Sequence, residues 1–205
     1  MKTDPNSAKP AREVILDRLG RNAVAGDAAY PAYTHPHTGL GDLRQAFRAV
    51  LESVGGECWF VSDRAEARRR LAASELGRAA GQVCSYAPDI LPGNFEAQAA
   101  ADVRDCRDVR LAVVEGGFGV AENGAVWVDA TGLRHRGLLF LAENLVLVVA
   151  GKEIVPDMES AYARIDFGPV GSGYFISGPS KTADIEQCLV VGAHGAKSQV
   201  VIVIG

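Results

Sequence analysis

The chain has 205 residues, of which 48% are apolar, and a formal net charge of -4. This length and apolar fraction suit one domain with a sizeable core, and the acidic balance argues against a nucleic-acid-binding surface. Glu143 and Asn144 interrupt the richest apolar run, residues 138–149, and the first residues lack an apolar signal core, so we expect a cytoplasmic protein without a membrane span.

Four cysteines stand far apart in the sequence, and none belongs to a CxxC pair: Cys58, Cys84, Cys106 and Cys188. Zinc ribbons and iron–sulfur clusters use closely spaced cysteines, so we expect free thiols, no metal and no iron–sulfur cluster. No covalently bound cofactor is expected.

Residues 1–40 are predicted to form an N-terminal extension to an α/β domain of residues 41–205. Ile15 and Leu19 lie on one side of a predicted helix over residues 12–22. Two prolines and a glycine indicate an exposed loop at residues 30–39. This loop carries His35 and His37, but no acid or cysteine within it completes a metal site.

The first half of the domain alternates helices and strands. Apolar residues recur with the helical period over residues 43–54, and Gly55 and Gly56 end this predicted helix. Residues 58–61 favour a strand, Ser62 or Asp63 caps a helix to about residue 76, and residues 82–86 favour a weak strand. Such alternation is typical of an α/β fold.

The second half is richer in strands. A connector at residues 94–106, helical or rich in turns, precedes a predicted buried strand at residues 109–114. Asn123-Gly124 is a strong turn signal before the strand at residues 126–128 and indicates a hairpin. Further along, residues 145–149 predict a central strand, Asp157 caps a helix to Ile165, and residues 199–204 predict a closing strand.

Glu122 stands directly before the Asn123-Gly124 turn. A carboxylate there can act as a catalytic base, a nucleophile or a hydrogen-bond acceptor. The other interpretation is an exposed turn whose carboxylate meets only solvent, and the local spacing favours that interpretation.

The densest group of polar residues follows a predicted strand at residues 174–176. Gly178 and Pro179 break this strand, and Ser180 or Thr182 then caps a predicted helix. Free N–H groups at a helix N-terminus favour an anion. The residues predicted to bind it are Gly178, Ser180, Lys181, Thr182 and Asp184. The alternative is a helix that is capped for structural reasons and packs under the last strand.

His194 and Lys197 can also reach an anion, or can lie solvated at a helix end. We hypothesise one cleft at the carboxyl ends of strands, in which Glu122, Asn123 and Gly124 face the polar segment from Ser180 onward. Its expected occupant is a small anionic ligand of unknown identity.

Two motifs carry a resemblance to a known family. The segment GPSKTADIEQCLVVGAHGAK resembles the C-terminal signature of the lactate utilization protein C family, which carries the LUD domain, and FGVAENGAVW is similar to that family's acidic turn before a strand. The resemblance covers residues 109–205 well. It implies a fold similar to the NagB/RpiA/CoA-transferase-like superfamily, with a mostly parallel Rossmann-like sheet and helices on both faces.

The resemblance also implies a role in oxidising L-lactate to pyruvate, with the iron–sulfur redox centres on separate partner proteins. The first hypothesis is an accessory component that binds a small anionic ligand or a partner subunit. The alternative is a CoA-transferase-like or sugar-phosphate enzyme, because Ala121-Glu122-Asn123-Gly124 resembles the Ser-Glu-Asn-Gly setting of a nucleophilic glutamate. A third hypothesis is a regulatory or scaffold module. Activity of the chain alone and a homo-oligomeric state stay open.

Overall fold

The computed structural model describes residues 10–22, 41–79, 81–168, 171–185 and 188–205. The chain divides into two units, Met1–Pro36 and His37–Gly205. In the first unit, helix α1 spans Ala11–Asn22, within one residue of the predicted bounds. The loop with His35 and His37 lies outside the described residues.

The second unit carries the remaining elements. Its described helices are α2 (Leu43–Ser53), α3 (Arg64–Ala73), α4 (Glu75–Arg78), α5 (Leu138–Leu141) and α6 (Met158–Ala163). Its described strands are β1 (Glu57–Val61), β2 (Gln82–Ser85), β3 (Val109–Glu115), β4 (Phe118–Val120), β5 (Ala125–Asp129), β6 (Asn144–Ala150), β7 (Ile154–Val155), β8 (Gly173–Ile176), β9 (Lys181–Ile185), β10 (Cys188–Val191) and β11 (Ser198–Ile204). The predicted connector before β3 contains two short 3-10 helices, Ala97–Ala99 and Val103–Asp108.

A five-stranded sheet forms the centre of this unit, in the order β1-β11-β6-β3-β2. All its neighbouring strands run parallel, and β6 is central as the sequence predicts. Along β6, Leu145 and Leu147 enter the core on one face, and Val146 and Val148 enter the core on the other. Burial on both faces is why parallel strands carry nearly continuous apolar runs. The predicted α/β fold is confirmed.

Helices cover both faces of this sheet. Phe47 and Leu51 of α2 pack on one face, and Ala67 and Leu71 of α3 pack on the other. Asp63 caps α3 as predicted, because its carboxylate accepts a hydrogen bond from the Glu66 N–H at 2.7 Å. The helix predicted to reach residue 76 ends at Ala73, where Ser74 caps the one-turn helix α4.

A second sheet, in the order β7-β4-β5-β8, lies on the α2 face. The Asn123-Gly124 turn joins β4 and β5 in the predicted antiparallel hairpin. Val126 and Val128 of β5 face the central core, whereas Trp127 faces outward into a small cluster with Ala161 of α6. The predicted cap of α6 is also confirmed, since Asp157 accepts a hydrogen bond from the Ser160 N–H.

The helix predicted after Ser180 is wrong. Residues Lys181–Ile185 and Cys188–Val191 are the antiparallel strands β9 and β10, with Thr182 opposite Val190 and Lys181 opposite Val191. The segment is short and rich in β-branched residues, and its apolar spacing fits one helical stripe as well as a hairpin. The described residues of this segment therefore provide no helix N-terminus for the predicted anion site.

Candidate functional site

The Asn123-Gly124 turn is tightly built. Gly124 has φ +66°, and a Cβ there would lie 2.7 Å from the backbone nitrogen of Leu51 in α2. The Asn123 side chain accepts a hydrogen bond from the Ala125 N–H at 3.0 Å. Glycine is required at position 124 by both the backbone angle and the space. The turn therefore packs against the last turn of α2.

Glu122 points to a different neighbour. Its Oε2 accepts a hydrogen bond from the backbone N–H of Met158 at 2.9 Å, and its own N–H donates to the carbonyl of Pro156. These bonds tie Glu122, the exposed residue before the turn, to the start of α6. The proposed nucleophilic role of Glu122 stays a prediction, and the hydrogen-bond acceptor role has a specific partner.

The loop after β8 approaches the Asn123 turn and α2. The Ser177 hydroxyl donates a hydrogen bond to the Asn123 carbonyl at 2.7 Å. Gly178 has φ +71°, and a Cβ there would lie 2.7 Å from the carbonyl oxygen of Val54. The structure thus brings two of the sequence-predicted groups, Asn123-Gly124 and the loop around Gly178, to the C-terminal end of α2.

The same loop is joined to the segment before β11. The Ser180 N–H donates to the Ala196 carbonyl at 2.9 Å, and the Ser180 carbonyl accepts from the Gly192 N–H at 2.8 Å. Both bonds use backbone atoms, so the Ser180 hydroxyl is not needed for them. Gly195 lies close by, since a Cβ built on it would be 2.9 Å from the Ser180 Cβ.

A pocket of about 260 Å³ lies between these segments. We call it the amino-edge pocket, because it adjoins the amino ends of the parallel strands β6 and β11. Three predicted site residues line it: Gly178, Ser180 and His194. Its other walls are mainly apolar and include Phe140, Leu145 and Phe175. Small-molecule sites combine such apolar walls with a few polar groups.

A buried amide adjoins this pocket. Gln199 is 1% exposed, and its Nε2 donates to the carbonyl of Ile176, a pocket residue, at 3.4 Å. Its Oε1 has no hydrogen-bond partner within the described structure. Sequence reasoning treated Gln199 only as the start of a strand.

The remaining predicted ligand residues lie outside the pocket lining. Lys181 lies at the C-terminal end of α2, where a Cβ built on Gly55 would be 3.5 Å from its Nζ, and a cation there is favoured by the helix dipole. Lys197 forms an ion pair with Glu143 at 3.1 Å. Thr182 is half-buried in β9, and the side chain of Asp184 lies outside the described part of the structure.

The location of the pocket corrects the predicted cleft. The turn and the loop do lie at the carboxyl ends of β4 and β8, but these strands belong to the second sheet. The pocket lies at the amino edge of the parallel sheet, because Leu145 stands at the start of β6 and Ala196 lies two residues before β11.

Two further cavities lie at the carboxyl edge of the parallel sheet, and sequence reasoning missed their residues. One of about 410 Å³ is lined by Arg44 and Lys152, and one of about 320 Å³ by Arg64 and Glu115. The sequence did carry a signal for these residues, since Arg64 follows the predicted strand at residues 58–61 and Glu115 follows the one at residues 109–114. Ligands favour the carboxyl edge of open α/β sheets.

Arg64 is held by two carboxylates at that edge. It forms ion pairs with Asp89, through two nitrogens, and with Glu115. The hydrogen bonds to Asp89 and then Glu115 raise the pKa of Arg64, and the Arg64 guanidinium in turn lowers the pKa of Asp89. This network connects α3, the end of β3 and the segment after β2.

Three of the cysteines are free and buried: Cys58, Cys84 and Cys106. Burial raises the pKa of each thiol, and that of Cys58 reaches about 11. No three His, Cys, Asp or Glu side chains come together as metal ligands within the described ranges. Among the described helices, none has the length and apolar character needed to cross a membrane.

Comparison with protein families places more than half of the chain in one of them. The model of the LUD domain matches residues 89–204. Among solved structures, the chain is similar to a DUF162 family protein from Deinococcus radiodurans, with a TM-score of 0.58 and 16% identity over 80% of this chain and 96% of that chain. This likeness supports the fold.

Curated relatives give a functional context. "Lactate utilization protein C" of Bacillus pumilus is 32% identical over 117 residues, which are 54% of this chain and 49% of the relative. "Lactate utilization protein C 1" of Bacillus mycoides is 33% identical over 46% of this chain and 43% of its own length. "Uncharacterized protein YkgG" of Escherichia coli is 30% identical over 53% of this chain and 49% of its own length. The aligned regions span about half the length of these relatives.

Proposed function

The chain belongs to the LUD domain family, and we propose that it serves lactate utilization by binding a small carboxylate, of the size of lactate or pyruvate, in the amino-edge pocket. Its similarity to proteins named lactate utilization protein C supports this role. The redox step is assigned to separate iron–sulfur partner proteins, as the family resemblance implies. The chain then supplies a carboxylate site or a docking subunit for them.

One observation carries this proposal: a hydroxyl and an imidazole share a small pocket with apolar walls. Ser180 and His194 can donate hydrogen bonds to a carboxylate, and charge-assisted bonds of this kind are stronger than neutral ones. Leu145 and Phe140 offer apolar surface for a methyl group. This division between polar and apolar walls fits a short 2-hydroxy or 2-keto acid.

The experiment is a thermal-unfolding titration of the full chain with L-lactate, pyruvate and acetate. A ligand that binds only the native state raises Tm by mass action. We expect lactate or pyruvate to raise Tm, and Ser180→Ala or His194→Ala to abolish most of that rise. Ser180→Ala keeps both backbone hydrogen bonds of the residue and so should fold.

Ser53→Ala is the matched control, since Ser53 lies on α2, its hydroxyl donates a hydrogen bond to the Val50 carbonyl at 2.7 Å, and it does not line the pocket. It should leave the carboxylate response unchanged. If no carboxylate raises Tm, or if Ser53→Ala weakens the response as much as Ser180→Ala does, the pocket is not the site. A response to acetate equal to that of lactate would argue against recognition of the 2-hydroxy acid.

A further inference from the structure

A crevice opens at the carboxyl edge of the parallel sheet, above the end of β11. After β1, on one side of β11, the chain enters α3 on one face of the sheet. After β6, on the other side, the chain enters β7 of the second sheet on the opposite face. Neighbouring connections that leave to opposite faces create the crevice in which open α/β sheets bind ligands.

The cavities of about 410 and 320 Å³ occupy this position. They adjoin, because Ala150 at the end of β6 and Ile204 at the end of β11 line both. These two side chains give the crevice an apolar floor. Its charged groups come from helices on both faces, from the turn after β6 and, in Glu115, from the end of β3.

The cations of this crevice differ in their partners. Arg64 is neutralised by Asp89 and Glu115. In contrast, Arg44 and Lys152 form no ion pair within the described ranges, although both line the larger cavity. The guanidinium of Arg44 stacks 4.9 Å from the ring centroid of Phe60, which fixes its position.

Arg44 lies close to the backbone at Gly151, directly after the end of β6. Gly151 is buried, and a Cβ built on it would lie 3.3 Å from the Arg44 Nε. Arg44 therefore lies directly beside the residue that precedes Lys152. An arginine fork and a lysine that line the same cavity suit a doubly charged oxyanion.

We propose that this carboxyl-edge crevice binds a phosphate-bearing ligand, with Arg44 and Lys152 on its phosphoryl oxygens and Ala150 and Ile204 against its organic part. The site is separate from the amino-edge pocket and shares none of its lining residues. It does not depend on the carboxylate proposed there.

The test is a calorimetric titration of the full chain with pyrophosphate and with inorganic phosphate, alongside malonate as a dicarboxylate of similar charge. We expect pyrophosphate to bind, and Arg44→Ala and Lys152→Ala each to weaken binding about tenfold, as loss of a charge-assisted contact does. The double variant should bind no measurable pyrophosphate. Circular dichroism checks that each variant is folded.

Arg48→Ala is the matched control. Arg48 lies one turn further along α2 and also approaches the Phe60 ring, at 5.7 Å, but it pairs with Glu52 and does not line the cavity. Its removal subtracts the same charge and should leave the affinity for pyrophosphate within about twofold.

Three results would overturn the proposal: no heat with pyrophosphate, an equal loss of affinity in Arg48→Ala, or tighter binding of malonate than of pyrophosphate. If Arg44→Ala unfolds, Arg44→Gln and Lys152→Gln decide in its place. Ser180→Ala must leave pyrophosphate binding intact, which separates a failure here from a failure of the carboxylate site.

Discussion

Two glycines at positive φ decide how the predicted polar segments meet. Gly124 and Gly178 both place their backbone against the last turn of α2, at Leu51 and Val54. A side chain at either position would have to displace backbone atoms, which cannot move without moving α2. These residues therefore position the turn and the loop, whether or not they contact a ligand.

Replacement of Gly178 by alanine should lower the free energy of unfolding by about 2 kcal/mol, because the left-handed backbone and the contact with Val54 both oppose a Cβ. Denaturant unfolding measures this change. Gly132→Ala is the control, since no atom lies within 4 Å of a Cβ there, and it should change stability by less than about 0.5 kcal/mol. Equal losses in both variants would contradict this account.

Glu122→Ala should lower the free energy of unfolding by about 1 kcal/mol, because the variant removes the acceptor of the Met158 N–H. Glu122→Gln keeps an acceptor and should lose less. Intact-mass measurement after incubation with acyl-CoA tests the other role of this residue. A covalent adduct on the native chain that disappears in Glu122→Gln would establish Glu122 as a nucleophile and favour the acyl-transfer alternative.

The Cys58 thiol gives a prediction for alkaline pH. Its pKa rises from 9.0 to about 11 on folding because the thiol is buried, so the folded chain keeps a proton that the unfolded chain releases. Stability that is complete below pH 9 should fall as the pH rises from about 9 to about 11. Cys58→Ala should flatten this part of the stability curve measured by denaturant unfolding, and an unchanged slope would contradict the prediction.

At the scale of elements, the β9–β10 hairpin holds together the two segments, around Ser180 and around Ala196, that line the amino-edge pocket. The backbone bonds of Ser180 to Gly192 and Ala196 continue from the Lys181–Val191 pair of the hairpin. A helix in this segment would separate these residues along its axis and could not form those bonds. The amino-edge pocket therefore depends on the hairpin.

Val191→Ala tests the hairpin through the sign of its effect. Val191 is 46% exposed, so intrinsic propensity dominates over packing. In a strand the change should destabilise the protein by about 0.5 kcal/mol, whereas in a helix alanine would stabilise it. Ala72→Val in α3, measured by the same unfolding titration, should destabilise as a helical control. A gain in stability for Val191→Ala would support the helix.

The sequence predicts the elements whose pattern reflects local geometry or burial on two faces. The periodic α2, the apolar β6 and β11 and the Asn123-Gly124 hairpin all belong to this class. Segment 181–191 fails because its few apolar positions satisfy two geometries, and only pairing with distant residues decides between them. Local sequence patterns could not predict the edge of the parallel sheet at which the pocket lies, because that edge depends on β8 pairing in the second sheet.

At the scale of the molecule, the two proposed sites lie at opposite edges of one parallel sheet. Strands β6 and β11 connect them, with Leu145 near one site and Ala150 at the other. The core clusters that support both contain no described residue before Leu43. The predicted domain of residues 41–205 should therefore contain everything that both sites need.

A chain of residues 41–205 should unfold cooperatively with a Tm within a few degrees of that of the full chain, because the three core clusters are intact in it. Differential scanning calorimetry measures both the Tm and the cooperativity. A broad transition, or a large fall in Tm, would show that residues 1–40 are more than an extension.

The strand order has a consequence for synthesis on the ribosome. β11 comes after all the other described strands in the sequence, yet it lies between β1 and β6 and is the sole sheet partner of β1 among the described strands. During translation, β1 has no described strand partner until residues 198–204 have left the exit tunnel. Such long-range pairing slows folding and exposes strand edges to association. The central sheet therefore cannot be completed until β11 is available, and nascent chains that stop before β11 are candidates for chaperone binding.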